Sequence, residues 1–219
     1  MLGQSISRNS LLLGVFAVIT TLLIAGTYLL TRDRIAAAQR QAEEKALLEI
    51  VPDERHDNNM LDDTLAIPPG ELGLKQPRSA YIARRGRQAA AVILPVTAPD
   101  GYSGAIDLIV GVNRDGTVAG VRVLNHRETP GLGDKVDLNK SDWVLGFDGR
   151  SLDDPSVERW AVKKDGGAFD QFTGATITPR AVVTATRGAL EYARTRHGEL
   201  FADGPDTATQ PAPADSGAH

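Results

Sequence analysis

The sequence predicts an α+β protein, in which a single N-terminal transmembrane helix precedes a domain with a mostly antiparallel sheet. Three observations carry that expectation. Residues 11–30 (LLLGVFAVITTLLIAGTYLL) are twenty positions without a charge, enough at about 1.5 Å per residue to cross the roughly 30 Å hydrocarbon core. Between residues 79 and 125, short apolar runs alternate with turn residues, as in strands joined by tight turns. From Pro179 to about Arg196 the chain has no further proline and reads as a helix.

Composition narrows the possible chemistry. The chain has 219 residues with a formal net charge of −4, which argues against a nucleic-acid partner. It has no cysteine, so disulfides, thiolate metal sites, iron–sulfur ligation and a cysteine nucleophile are excluded together. The histidines at 56, 126, 197 and 219 lack metal-site spacing. Any redox chemistry therefore needs an organic cofactor. Aromatic residues are 5% of the chain, which argues against a hopping chain of tyrosines and tryptophans.

The apolar segment reads as a retained anchor. A cleaved signal peptide has an apolar core of about 7–15 residues followed by a small-residue cleavage site. Here the run is longer and leads directly into Arg32-Asp33-Arg34. Tyr28 occupies an interfacial position. Arg8 and the N-terminal amine on one side nearly balance Arg32 and Arg34 on the other, so flanking charge leaves the orientation open.

The remaining elements follow in order. Residues 1–10 are a short N-terminus, 11–30 the membrane helix, 31–76 a helical stalk and linker, 77–200 the folded domain and 201–219 a disordered tail. The stalk, DRIAAAQRQAEEKALLEIV, is rich in helix formers and ends at Pro52. Its weak apolar stripe (Ile35, Ala38, Ala42, Leu48) suits a stalk better than a partner-binding helix. Residues 53–76 are polar and turn-rich, a loop-dominated approach to the domain. Strands are expected at 79–83 and 89–97, and at 105–112 and 117–125 around Asn113-Arg114-Asp115-Gly116. The run AIDLIVGV reads as a central strand. The tail, rich in proline, alanine and serine, has nothing to bury.

Chemistry concentrates in residues 170–178, DQFTGATIT. Gly174 and Ala175 permit close approach to the backbone. Thr173, Thr176 and Thr178 cluster hydroxyls at a helix N-terminus, where free N–H groups and about half a positive charge favour a phosphate, bound or esterified. By spacing alone, Thr178 as a plain N-cap before Pro179 is the stronger reading. A second segment, HRETPGLG at 126–133, has the turn pair Pro130-Gly131 and a permissive Gly133. Alone it reads as a β-turn with His126 and Glu128 solvated.

The pattern DxxTGATxT resembles the flavinylation motif of the FMN-binding domain family, shared by the G subunit of the Rnf electron-transport complex and the C subunit of sodium-translocating NADH:quinone reductase. HRETPGLG resembles that family's HxETPGLG segment. The stretch KKDGGAF before DQFTGATITPRAVV is similar to the Rnf G subunit in particular, and Gly101-Tyr102-Ser103-Gly104 with the anchor extends the match. The resemblance implies FMN joined by a phosphoester to Thr178, installed by a flavin transferase that takes FMN from FAD. It implies that Asp170 and Thr173, Gly174, Ala175 and Thr176 belong to the transferase's recognition sequence. It makes Glu128, Thr129, Leu132 and Gly133 candidate flavin neighbours, alongside the recognition residues. Lys163 and Lys164 would neutralise the phosphate or reduced flavin, or form a solvated basic pair. Trp143 and Trp160 read as core, and His126 as structural rather than a proton relay.

The resemblance further implies a domain on the periplasmic side of the cell inner membrane, in a complex coupling electron flow between ferredoxin and NAD to ion translocation. Its partners would include the FMN-carrying D subunit. The chain would act as a redox subunit without independent turnover. It would not pump ions itself, since its one span has no ionisable residue. The quinone-reductase C subunit, a membrane-tethered binding module with an unfilled flavin site, and a stand-alone flavinylated donor are the alternatives.

Overall fold

The computed structural model describes residues 2–204; residues 205–219, most of the expected tail, lie outside the described residues. The first element, α1 (Leu2–Ile50), is one long helix. The chain divides into two compact units, residues 1–45 and residues 46 onward.

In the first unit, Ser10–Ile35 has mean hydropathy 2.2 and no burial within the protein, and it is long and apolar enough to cross a membrane. Its threonines do not spoil that character. Thr20, Thr27 and Thr31 donate their hydroxyls to the carbonyls of Phe16, Leu23 and Thr27 at 2.8 Å each. Each of these three hydroxyls thus finds its partner on its own helix, as a lipid environment demands.

The second unit is built on a five-stranded antiparallel sheet in sequence order: β1 (Thr64–Ile67), β2 (Arg78–Arg85), β3 (Gln88–Ala98), β4 (Ile106–Asn113) and β5 (Val118–Asn125). The turns follow their sequence signals. Gly86 and Gly116 take φ of 60° and 84°, the left-handed region that glycine enters without a Cβ penalty. β4 is interior as its apolar run predicts, although the middle position falls to β3.

The sheet is buried on both faces, with the period of 2 expected of strands. Val92, Leu94 and Val96 of β3 face one apolar cluster, which includes Val182, Val183 and Leu190 of helix α2 (Ile177–Thr195). Ala91 and Ile93 face a second cluster with Leu47, Ile50, Val51 and Met60. Fully burying side chains such as Ile93 and Leu94 (both 0% exposed) contributes about 1.5–3 kcal/mol each. Gly111 and Gly120 pair across β4 and β5, and a β-carbon at Gly111 would lie 2.3 Å from Ile50 Cγ2. The glycine pair therefore makes the seat for Ile50.

One strand was not legible in the sequence. β1 lies within the segment read as loop, and pairs with β2 from Thr64–Tyr81 to Ile67–Arg78. Its four residues sit between Asp62-Asp63 and Pro68-Pro69, so local composition hides a pairing that β2 supplies from outside. Next to it, Asn58 accepts the Arg84 N–H at 2.8 Å and donates to the Ile82 carbonyl at 2.9 Å, extending the edge with a side chain.

Between β5 and α2 the chain runs through short 3-10 turns at Gly133–Val136, Asp142–Phe147, Val157–Arg159 and Lys163–Asp165. Aromatic side chains pin this segment. Trp143 meets Phe147 and Phe172 edge-on, at 5.2 Å each, and Trp160 and Phe169 pack on Phe147. Trp160 is buried and Trp143 half-buried, in keeping with their reading as core. This connection carries both chemistry-bearing segments to the start of α2.

Candidate functional site

Thr178 is not the N-cap of its helix. The cap is Thr176, whose side chain makes no capping bond, and Thr178 is the second residue of α2. The displacement costs nothing at Pro179, because any first-turn residue lacks an intrahelical acceptor for its N–H. It changes what the Thr178 hydroxyl does. Instead of accepting from the backbone, it donates to Glu128 Oε2 in a short, buried hydrogen bond.

Thr178 is 0% exposed and Glu128 5%. Glu128 is held by the two neighbouring loops. Its Oε1 accepts the Ser103 N–H at 2.9 Å, and its own N–H donates to His126 Nδ1 at 3.1 Å. The expectation of a solvated Glu128 and His126 is thus corrected: Glu128 is buried and His126 half-buried, because a tertiary partner replaces water. His126 serves as a structural acceptor.

Glycines let these groups close up. A β-carbon at Gly133 would lie 2.7 Å from Thr178 Oγ1 and 2.8 Å from Glu128 Oε2. One at Gly101 would lie 2.2 Å from the Gly104 carbonyl and 3.0 Å from Glu128 Oε1. The Thr129 carbonyl accepts the N–H groups of Leu132 and Gly133 at 3.1 Å each, folding the Pro130-Gly131 turn over the pair.

The remaining predicted residues surround this contact at varied depth. Leu132 is 43% exposed and Ile177 42%, and a β-carbon at Gly174 would meet Leu132 Cδ2 at 3.8 Å. Thr129, Thr173 and Gly174 are exposed, while Ala175 and Thr176 are half-buried. Asp170 is exposed, pairs with Lys163 at 2.6 Å, and accepts the Trp143 indole N–H on its carbonyl at 2.8 Å. Lys164 is exposed; its backbone N–H donates to Gln171 Oε1 at 3.1 Å, and no hydrogen bond joins it to Thr178 or Glu128 among the described residues.

Three participants were missed by the sequence reading. Ser103 supplies Glu128 with its second partner, and the small residues of GYSG were the available signal. Asp134 is buried at 9% exposure, with Oδ1 lacking a hydrogen-bond partner among the described residues; nothing in its spacing marks it. Arg180, two residues beyond Thr178 on α2, makes a two-pronged pair with Asp165 at 2.6 and 3.0 Å. That hydrogen bond holds the Asp165 carboxyl below its ordinary range. A cleft of about 840 Å³ runs along α2 past Ile177, Ala181, Gly188 and Tyr192, and Thr178 does not line it.

The FMN-binding domain family matches residues 101–191, and the RnfG N-terminal region matches residues 1–50. The G subunit of the ion-translocating oxidoreductase complex of Pseudomonas aeruginosa is 57% identical over 190 residues, covering 86% of this chain and 89% of that protein. The chain belongs to this G-subunit family. The corresponding G subunit of Shewanella loihica is 50% identical over 190 residues (86% of this chain, 90% of that protein). That of Vibrio atlanticus is 46% identical over 199 residues (91% and 95%). The crystal structure of Shewanella oneidensis NqrC shares 24% identity at a TM-score of 0.47, over 67% of this chain and 72% of that one. Membership of the family, together with the apolar Ser10–Ile35 helix, makes the chain a membrane-associated protein with an FMN-binding domain.

Proposed function

We propose that the chain is an electron-carrying subunit of a membrane-bound oxidoreductase complex that couples electron transfer between ferredoxin and NAD to ion translocation, with FMN joined through a phosphoester to Thr178. The observation that carries this reading is the placement of a single hydroxyl, that of Thr178, in the first turn of α2 between Glu128 and Gly133.

The head of α2 suits the chemistry of the group, and attachment requires the buried Thr178 hydroxyl to come free of Glu128. The N-terminal turn of α2 favours a phosphate through its N–H groups and dipole. Gly174 leaves the backbone uncovered, and the exposed Leu132 and Ile177 offer apolar surface for a planar ring. Bound FMN would supply one- and two-electron chemistry, while the protein supplies position and electrostatics. Asp170, with Thr173, Gly174, Ala175 and Thr176, presents the transferase with a largely accessible segment pinned at one end by Trp143. Lys164 stands in reserve as an exposed cation on the adjoining turn.

The same reading puts the folded domain on the periplasmic side of the inner membrane. The D subunit is its electron-transfer neighbour and a flavin transferase its maturation partner. The chain has no turnover of its own. Support for these points is family membership. In-gel flavin fluorescence and co-purification test the proposal together. Wild-type protein made with its transferase should fluoresce and co-purify with the other membrane subunits, and Thr178→Val protein should co-purify dark. A Thr178→Val band that stays fluorescent would sink the assignment.

A further inference from the structure

We propose that Glu128 is a latch that selects between two starts of α2, and that Thr178 becomes available for flavin attachment when the helix start retreats to Pro179. This rests on the Thr178 reading above. With α2 beginning at Ile177, the Thr178 hydroxyl is fully enclosed, donates to Glu128 Oε2 and stands outside the cleft along the helix. An incoming nucleotide cannot reach it there.

Two starts compete in this turn. Threonine followed by proline is a strong helix opening: the hydroxyl caps N–H groups two and three residues on, and proline at the first helical position gives up no hydrogen bond. That start would begin α2 at Pro179, with Thr178 as its cap over Arg180 and Ala181. The start adopted is poorly secured by its own residues. Thr176, at the cap position, has helical φ and ψ of −70° and −28° and makes no capping bond. Pro179 has no N–H to contribute, and the turn is closed by the Arg180 N–H donating to the Thr176 carbonyl at 3.2 Å. Ile177 is 42% exposed and Thr176 half-buried. What the tertiary structure grips is Thr178, through Glu128.

The surroundings of this short stretch are fixed. On one side Phe172 is buried, and its carbonyl accepts the Ala175 N–H at 3.1 Å. On the other, Pro179, Ala181, Val182 and Val183 are buried in the core. Glu128 is anchored by the Ser103 N–H on Oε1 and by its own N–H on His126 Nδ1. Residues 176–178 are therefore the part that changes, and losing the Glu128 contact removes the reason for the earlier start. Gly133→Ala does not mimic this release, because its methyl would crowd the Thr178 oxygen itself as well as the carboxyl.

The test uses the full-length protein in detergent, made without transferase from isotope-labelled threonine, with the Thr178 signal assigned through Thr178→Ser. Thr178 Cα and Cβ chemical shifts should be helical in wild type and those of an extended cap residue in E128A. E128Q keeps an acceptor and the shape of the side chain, and should lie between them. Given active transferase and FAD, intact mass should show E128A gaining the adduct roughly two- to tenfold faster than wild type, the factor one hydrogen bond of ordinary net strength contributes. E128Q should again be intermediate, and it carries both comparisons should E128A fail to fold. Helical Thr178 shifts in a folded E128A, or slower loading of either variant than of wild type, overturns the latch. A wild-type mass that never rises removes the Thr178 reading and the release step with it, while the carbon shifts still decide whether Glu128 sets the helix start, so the two failures are distinguishable.

Discussion

The Thr178 hydroxyl and the Glu128 carboxylate meet across 50 residues of chain, and both are buried at the contact. The acceptor for the proposed phosphoester is therefore a fixed part of the folded domain rather than a free loop hydroxyl.

Removing that hydroxyl has a structural cost separate from any cofactor. Thr178→Val leaves Glu128 with the Ser103 N–H as its remaining side-chain partner in the contact, and an under-satisfied buried acceptor costs about 1–3 kcal/mol. Thr178→Ser keeps the donor and should lose about 1 kcal/mol, for one methyl group. Urea midpoints of the unloaded full-length proteins should rank wild type, Ser, then Val.

Gly133 has no room for a side chain. Gly133→Ala puts a β-carbon 2.7 Å from Thr178 Oγ1 and 2.8 Å from Glu128 Oε2, and overpacking of this kind costs about 1–3 kcal/mol. The variant should unfold at lower urea and accept flavin more slowly, read as adduct formed per unit time in the mass spectrum.

Ile50 and Gly111 should be energetically coupled. Ile50→Ala alone should cost about 2–5 kcal/mol as a cavity mutation. Gly111→Ala alone forces the contact that a β-carbon 2.3 Å from Ile50 Cγ2 implies. Combined, the two losses should sum to less than their separate values, because the cavity accepts the new methyl. A double-mutant cycle on unfolding midpoints measures this.

Asp165 gives a pH dependence with a definite sign. Its hydrogen bond from Arg180 lowers the folded pKa, so the pair's contribution is present above the ordinary aspartate value. It is lost as pH falls through the lower folded value. The pair is solvent-exposed, so the effect is small. Arg180→Ala should lower the thermal midpoint at pH 7, and the difference from wild type should disappear once Asp165 is protonated.

Much of this architecture is written locally. The Asp115-Gly116 turn, the apolar runs of β3 and β4, and the uncharged N-terminal helix each follow from residues adjacent in sequence. The features that escaped depend on distant partners. β1 exists because β2 offers an edge. Thr178 reads as a cap until Glu128 claims its hydroxyl, and Glu128 reads as solvated until Ser103, Thr178 and Gly133 enclose it. Asp134 carries no signal, since burial of a lone carboxyl has no pattern in sequence. The motif DQFTGATIT singles out this turn by its hydroxyls and small residues, while the hydrogen bond from Thr178 to Glu128 is legible only in three dimensions.

The most direct measurement of the central claim is intact mass with peptide mapping, on protein produced with and without the flavin transferase. The account predicts a single FMN adduct on the peptide containing Thr178, absent without the transferase and absent from Thr178→Val. An unchanged mass in the presence of active transferase, or an adduct mapped to Thr173 or Thr176, would contradict it.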